Sequence, residues 1–238
     1  MKKILFIIFA VFAVATTLSG APTKKSQKEE LTIERPNMEA IKDSIRTPSS
    51  KYYYKKLWRK FFENDTTKMN LQEYRHLYLG YTFQEDYNPY RVSEYANKIT
   101  NLYHKKELTP AECDTIIKYA ELSLADNPFD LEQIQFFIYA LKKKKKNNRA
   151  AIMQYRLNHL AKAILSTGKG TKESPWVVIN PVHEYNILNF MGYIAKDYKE
   201  LDNNIDYIIV EKKSGSGPEG FYFDVSRVID VYDTKFRD

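Results

Sequence analysis

One cysteine, Cys113, stands in a chain of 238 residues. No intramolecular disulfide can form, so the fold must be held by packing. Ile116, Ile117, Ala120 and Leu124 follow that thiol at helical spacing, which puts it on an apolar stripe, and nothing close in sequence would lower its pKa. Histidine is scarce too, and the four present lack ligand spacing. His183-Glu184 has no second histidine where a zinc site would need it, and His76, His104 and His159 fall in other segments, so no metal and no cofactor are expected. Gly168-Lys169-Gly170-Thr171 lacks the preceding strand and following helix of a phosphate loop, and Ser226 lacks a glycine elbow. Past Ala15 no apolar run approaches the about 18 residues of a membrane span, so no transmembrane anchor is expected. A large charge of one sign is missing as well. Lysine plus arginine reach 37 against 30 acids, and five of the lysines form one run at 142–146, so the net +7 does not point to a nucleic acid partner.

What is present begins at the N-terminus. Lys2 and Lys3 precede an uncharged apolar run from Ile4 to Ala15, the pattern of a secretion signal and too short for a stable anchor. Ser19 and Ala21 suit a signal peptidase, as do Ala13 and Ala15, although Pro22 hinders cleavage after Ala21. Ala21 also stands where a lipoprotein would carry its lipidated cysteine. The expectation is a signal peptide over 1–21 and an exported, soluble chain, periplasmic or extracellular and not lipid-anchored.

Residues 22–49 read as a polar linker ending in a short helix after Pro36. From 50 to 168 the pattern is helical. Tyr54, Leu57, Trp58, Phe61 and Phe62 share one wide apolar face. Asn70 with Glu73 opens a helix burying Tyr74, Leu77, Tyr78 and Tyr81. A third helix is expected over 92–103, a fourth from Thr109-Pro110 to about Asp126, a fifth after Asp130, and a sixth over 149–166 with Gly168 just past its end. Asn-Pro-aromatic recurs at Asn88-Pro89-Tyr90 and Asn127-Pro128-Phe129, 39 residues apart, which suggests antiparallel helical pairs of a tetratricopeptide-like kind. Residues 175–238 change character. Strands are expected at 176–179, 207–210 and 221–225, with a helix over 183–193, giving a small C-terminal α+β region with a short antiparallel sheet. The fold class is therefore mainly α with that region packed on the helices.

Tyr54-x-x-Leu57, Glu73-Tyr-Arg-His-Leu-Tyr-x-Gly80-Tyr, Tyr87-x-Pro89-Tyr90 and Gly220-Phe-Tyr-Phe-Asp-Val-Ser226 together resemble a family of exported gut-bacterial proteins, the domain of unknown function four-nine-one-nine. The similarity runs from about residue 50 to the end, and the Tyr74 to Tyr90 block is its most specific part. The resemblance implies export and one family-wide unit; it supplies no activity and no site.

The residues themselves suggest several chemistries. His183, Glu184 and Asp224 are the acid–base candidates at a helix–strand junction, set against a plain helix-start role for His183-Glu184. The lysine run reads as a solvated helix end. Tyrosine is abundant, with ten of 19 between Tyr52 and Tyr103. Tyr74, Tyr78, Tyr81, Tyr87 and Tyr90 are the candidates for a binding face, set against half-buried helix contacts. Asp43-Ser44-Ile45, Asp65-Thr66-Thr67 and Asp114-Thr115-Ile116 resemble a bacterial O-glycosylation sequon, with Thr66 the best placed. Together these give the expectation of an exported helical binding or scaffold module for a protein or peptide partner, more an interaction protein than an enzyme. The alternatives are a hydrolase of envelope or dietary polymers, and a glycan-binding protein without catalysis.

Overall fold

Helix starts are written in side chains. Asn70 Oδ1 accepts the Glu73 N–H at 3.0 Å while Glu73 Oε2 accepts the Asn70 N–H at 3.0 Å. Thr109 and Glu112 form the same reciprocal box ahead of Pro110, whose fixed φ suits a first helical position. Asp130 accepts the Gln133 N–H at 2.9 Å. The computed structural model describes residues 31–63, 65–211 and 217–236, without the side chains of Asp65 and Thr66. The signal peptide expected over 1–21, the first part of the linker and the Thr66 hydroxyl lie outside the described residues.

Six helices build the larger part: α1 (Met38–Arg46), α2 (Tyr54–Phe62), α3 (Leu71–Gly80), α4 (Pro110–Asp126), α5 (Leu131–Lys143) and α6 (Asn147–Leu165). Short connections fold α4, α5 and α6 back on one another; Lys144, just past α5, pairs at 2.8 Å with Asp114 near the start of α4. α3 lies against α6 and runs the same way. Tyr155 Oη donates to the Met69 carbonyl near its start, and Arg75 Nη1 donates to Ser166 Oγ at 2.6 Å further along. The rest is β1 (Trp176–Val177), α7 (Val182–Phe190), β2 (Ala195–Leu201), β3 (Ile205–Val210), β4 (Gly220–Asp224) and α8 (Ser226–Lys235). The strands lie in the order β1-β4-β3-β2, with β1 parallel to β4 and the other pairs antiparallel. One hydrophobic core runs through both parts, from Leu57, Tyr74 and Leu77 to Ile187, Phe223 and Val228.

Several elements differ from expectation. The helix expected over 92–103 is a loop with two 3-10 turns, Ala96–Lys98 and Thr100–Leu102. Ile99 and Leu102 are buried there all the same, so two anchors suffice and a segment too short to hold an isolated helix gains nothing by forming one. The sheet is four-stranded and mixed where three antiparallel strands were expected. β2 reads Ala-Lys-Asp-Tyr-Lys-Glu-Leu, an exposed and charged edge without apolar alternation. It turns into β3 through Asn203 and Asn204, both at positive φ, which asparagine tolerates. Gly168 is not the residue that ends α6; Ser166 holds that place. Gly168 serves a close approach instead, since a Cβ there would lie 2.2 Å from the Pro175 carbonyl oxygen. The linker read over 22–35 is tied down at its end: the Glu34 N–H donates to the Ser166 carbonyl, and the Glu34 carbonyl accepts from Arg75.

Candidate functional site

His183 sits on the first turn of α7, buried, with both ring nitrogens occupied. Nε2 lies 2.9 Å from the Phe129 carbonyl, which only accepts, so Nε2 carries the proton. Nδ1 then accepts from the Tyr78 hydroxyl at 2.7 Å, and that hydroxyl accepts the Ile179 N–H at 3.2 Å. Tyr87 Oη donates to the Ile179 carbonyl at 2.6 Å. Two tyrosines from the helical part thus hold both backbone groups of the residue leaving β1. Burial lowers the His183 pKa from 6.5 to about 4, so the ring is neutral and its one basic nitrogen is engaged.

The acids nearby do not join His183 in a cleft. Glu184, also buried, meets Asp206 of β3. Burial, followed by the Asp206 charge, pushes Glu184 up to about 9, and burial raises Asp206 as well. The pair therefore holds a proton, while Glu184 Oε1 has no hydrogen-bond partner among the described residues. Asp224 ends β4; its Oδ1 accepts the Ser226 N–H at 3.0 Å at the start of α8, and Oδ2 lies 3.5 Å from Arg35. Sequence reasoning missed Asp206, although Asp206, Ile208 and Val210 alternate onto one buried strand face.

The five candidate tyrosines separate. Tyr74, Tyr78, Tyr81 and Tyr87 belong to the core, the first three packed edge-on or tilted against Phe61, His159 and Phe129, and Tyr87 edge-on to Tyr81. Only Tyr90 is open, at 49 % exposure, against Tyr232. Thr66 falls in the 3-10 turn Asp65–Lys68. The lysine run ends α5. Lys145 takes φ 56°, its N–H donates to the Lys142 carbonyl and that of Lys146 to the Leu141 carbonyl, closing the helix as a Schellman motif. No group of three or more His, Cys, Asp or Glu among the described residues is arranged to hold a metal ion. Nor is any helix among them long and apolar enough to cross a membrane.

A surface groove of about 490 Å³ opens along α2 and the turn after α3, lined by Tyr54, Lys55, Trp58, Arg59, Phe62, Glu63, Tyr81, Gln84 and Asp86. Trp58 lines it, half-buried. The indole lies 5.6 Å from the Tyr54 ring, 4.7 Å from Phe62 and 6.1 Å from Tyr81. Tyr54 and Tyr81 are buried, and neither hydroxyl has a hydrogen-bond partner among the described residues. Burial raises both pKa values, that of Tyr81 to about 12, with the Asp86 carboxylate at the rim adding to each. The signal for this groove was present in the sequence: the apolar face of α2 is wider than one packing contact covers, which leaves Phe62 and part of Trp58 at its edge.

Fold and site together define a mainly helical protein with a small mixed sheet, joined by a buried polar knot and carrying a groove lined in part by aromatic rings. The chain belongs to the family described as Domain of unknown function (DUF4919), which matches residues 39–234. The match takes in α1, ahead of the residue 50 expected from the motifs. No curated protein and no solved structure matches the chain.

Proposed function

We propose that the protein is an exported, non-catalytic binding module that holds its ligand in the α2 groove. The observation that carries this is the half-buried Trp58, beside the rings of Tyr54, Phe62 and Tyr81, in a groove also lined by Lys55, Arg59, Glu63 and Asp86. Such a rigid aromatic surface with a few polar groups is how ligand sites are commonly built. The groove's volume of about 490 Å³ lies in the range of small-ligand sites, about 300–1,000 Å³, which favours an extended or small ligand over a folded one. A peptide and a glycan both meet that description. The stacked α4, α5 and α6 hairpins are in keeping with a tetratricopeptide-like scaffold behind it. The hydrolase reading has less support, because His183 is neutral with both nitrogens bonded and Asp224 is occupied at a helix start.

Amide hydrogen exchange tests the reading. A polymer and envelope extract from the native source should slow exchange in 54–63 and 81–86, and Trp58→Ala should abolish that protection. Exchange unchanged by every fraction would contradict it. Export is checked by sequencing the native protein's N-terminus, expected to begin after Ala15 or Ala21.

A further inference from the structure

We propose that the α2 groove binds an uncharged saccharide chain, a pyranose ring lying on Trp58 and its hydroxyls bridging the rim. This rests on the groove being the ligand site and names the class of ligand. The indole is held between Tyr54, Phe62 and Tyr81, so a flat ligand stacks on it at small entropic cost. Pyranose rings offer such a face, lined by axial C–H bonds.

The rim selects further. Lys55 donates and Asp86 accepts; Arg59 and Glu63 pair with each other at 3.6 Å and keep further donor and acceptor capacity; the Gln84 amide nitrogen is engaged with the Gly80 carbonyl at 3.1 Å, which leaves its oxygen to accept. A sugar hydroxyl both donates and accepts, so neighbouring hydroxyls serve a cation and a carboxylate together. A proline-rich peptide, the usual occupant of an aromatic groove, brings carbonyl acceptors but few donors for Asp86, whereas Glu63 already has Arg59. A peptide that binds by strand addition needs a strand edge, and these walls are a helix and a turn. Rim charges of both signs disfavour a strongly charged polymer of either sign. The volume, about 490 Å³, suits a short stretch of such a chain.

The chain has two tryptophans, and Trp176 is buried in β1 of the sheet, which makes it an internal control. The purified protein carrying fluorotryptophan, its Trp58 resonance assigned with Trp58→Phe, is titrated with cellohexaose, xylohexaose and maltohexaose. Titration to about 10 mM is ten times the dissociation constant of a site of about 1 mM affinity. The Trp58 fluorine resonance should move saturably with at least one saccharide while that of Trp176 stays. Trp58→Ala should remove binding, read by calorimetry, without changing the far-ultraviolet circular dichroism. Asp86→Asn should weaken binding about tenfold at unchanged melting temperature. A Trp58 resonance stationary with all three sugars, or moved only by a proline-rich decapeptide, overturns the saccharide assignment. If the extract still protects 54–63 in that case, the groove is a binding site for another ligand; if it does not, both readings fall together.

Discussion

At the scale of single residues, the buried polar groups decide what the protein can and cannot titrate. Tyr78 donates to His183 and accepts from Ile179, so Tyr78→Phe leaves two buried partners unpaired. It should cost about 1–3 kcal/mol in urea unfolding. A loss below the error of that measurement would mean the knot is not formed. Glu184 and His183 also set opposed pH slopes. Glu184 is protonated in the fold up to about 9 against an ordinary 4.5, so the stability it contributes is complete below pH 4.5 and lost as pH rises toward 9. His183 is lowered from 6.5 to about 4, so its contribution is complete above pH 6.5 and lost as pH falls through 4. The two offset one another between 4.5 and 6.5, and above 6.5 the Glu184 slope stands alone. Glu184→Gln should therefore flatten the decline of stability on the alkaline side, where one released proton is worth about 1.4 kcal/mol per pH unit. Urea melts of both proteins across that range check the slope, and parallel curves would show Glu184 to be ionised in the fold.

At the scale of elements, helix ends offer the sharpest expectations. Lys145 closes α5 in the left-handed region, where a side chain is strained and glycine is not. Lys145→Gly should raise stability by about 1 kcal/mol in thermal melts. Thr109→Ala, which breaks the box opening α4, should lower it by about 1 kcal/mol. The same locality explains what was legible in sequence. Asn70, Thr109 and Asp130 act within four residues of themselves, so their helices could be read directly. β2 could not, because its pairing to β3 is long-range and its side chains are exposed and charged; only Asn203-Asn204 hinted at the turn. α8 buries only Val228 and Val231 of its ten residues, a stripe too thin to stand out against a strand reading just before it. The candidate site was hidden for a related reason. The tyrosines most prominent in sequence went into the core, and the groove formed at the margin of α2, where Trp58 and Phe62 had looked like ordinary interior residues.

At the scale of the whole molecule, helices and sheet share one interior. Tyr78 and Tyr87 grip Ile179, His183 grips Phe129, and Arg75 joins α3 to the end of α6 and to Glu34. Breaking one part should therefore break the other. Trp58 lies in the helical part and Trp176 in β1, so their two fluorine resonances report on each part separately in a single urea titration. Coincident midpoints for Trp58 and Trp176 are the result expected. A Trp176 signal that turns over at lower urea, while Trp58 keeps its native position, would contradict the account.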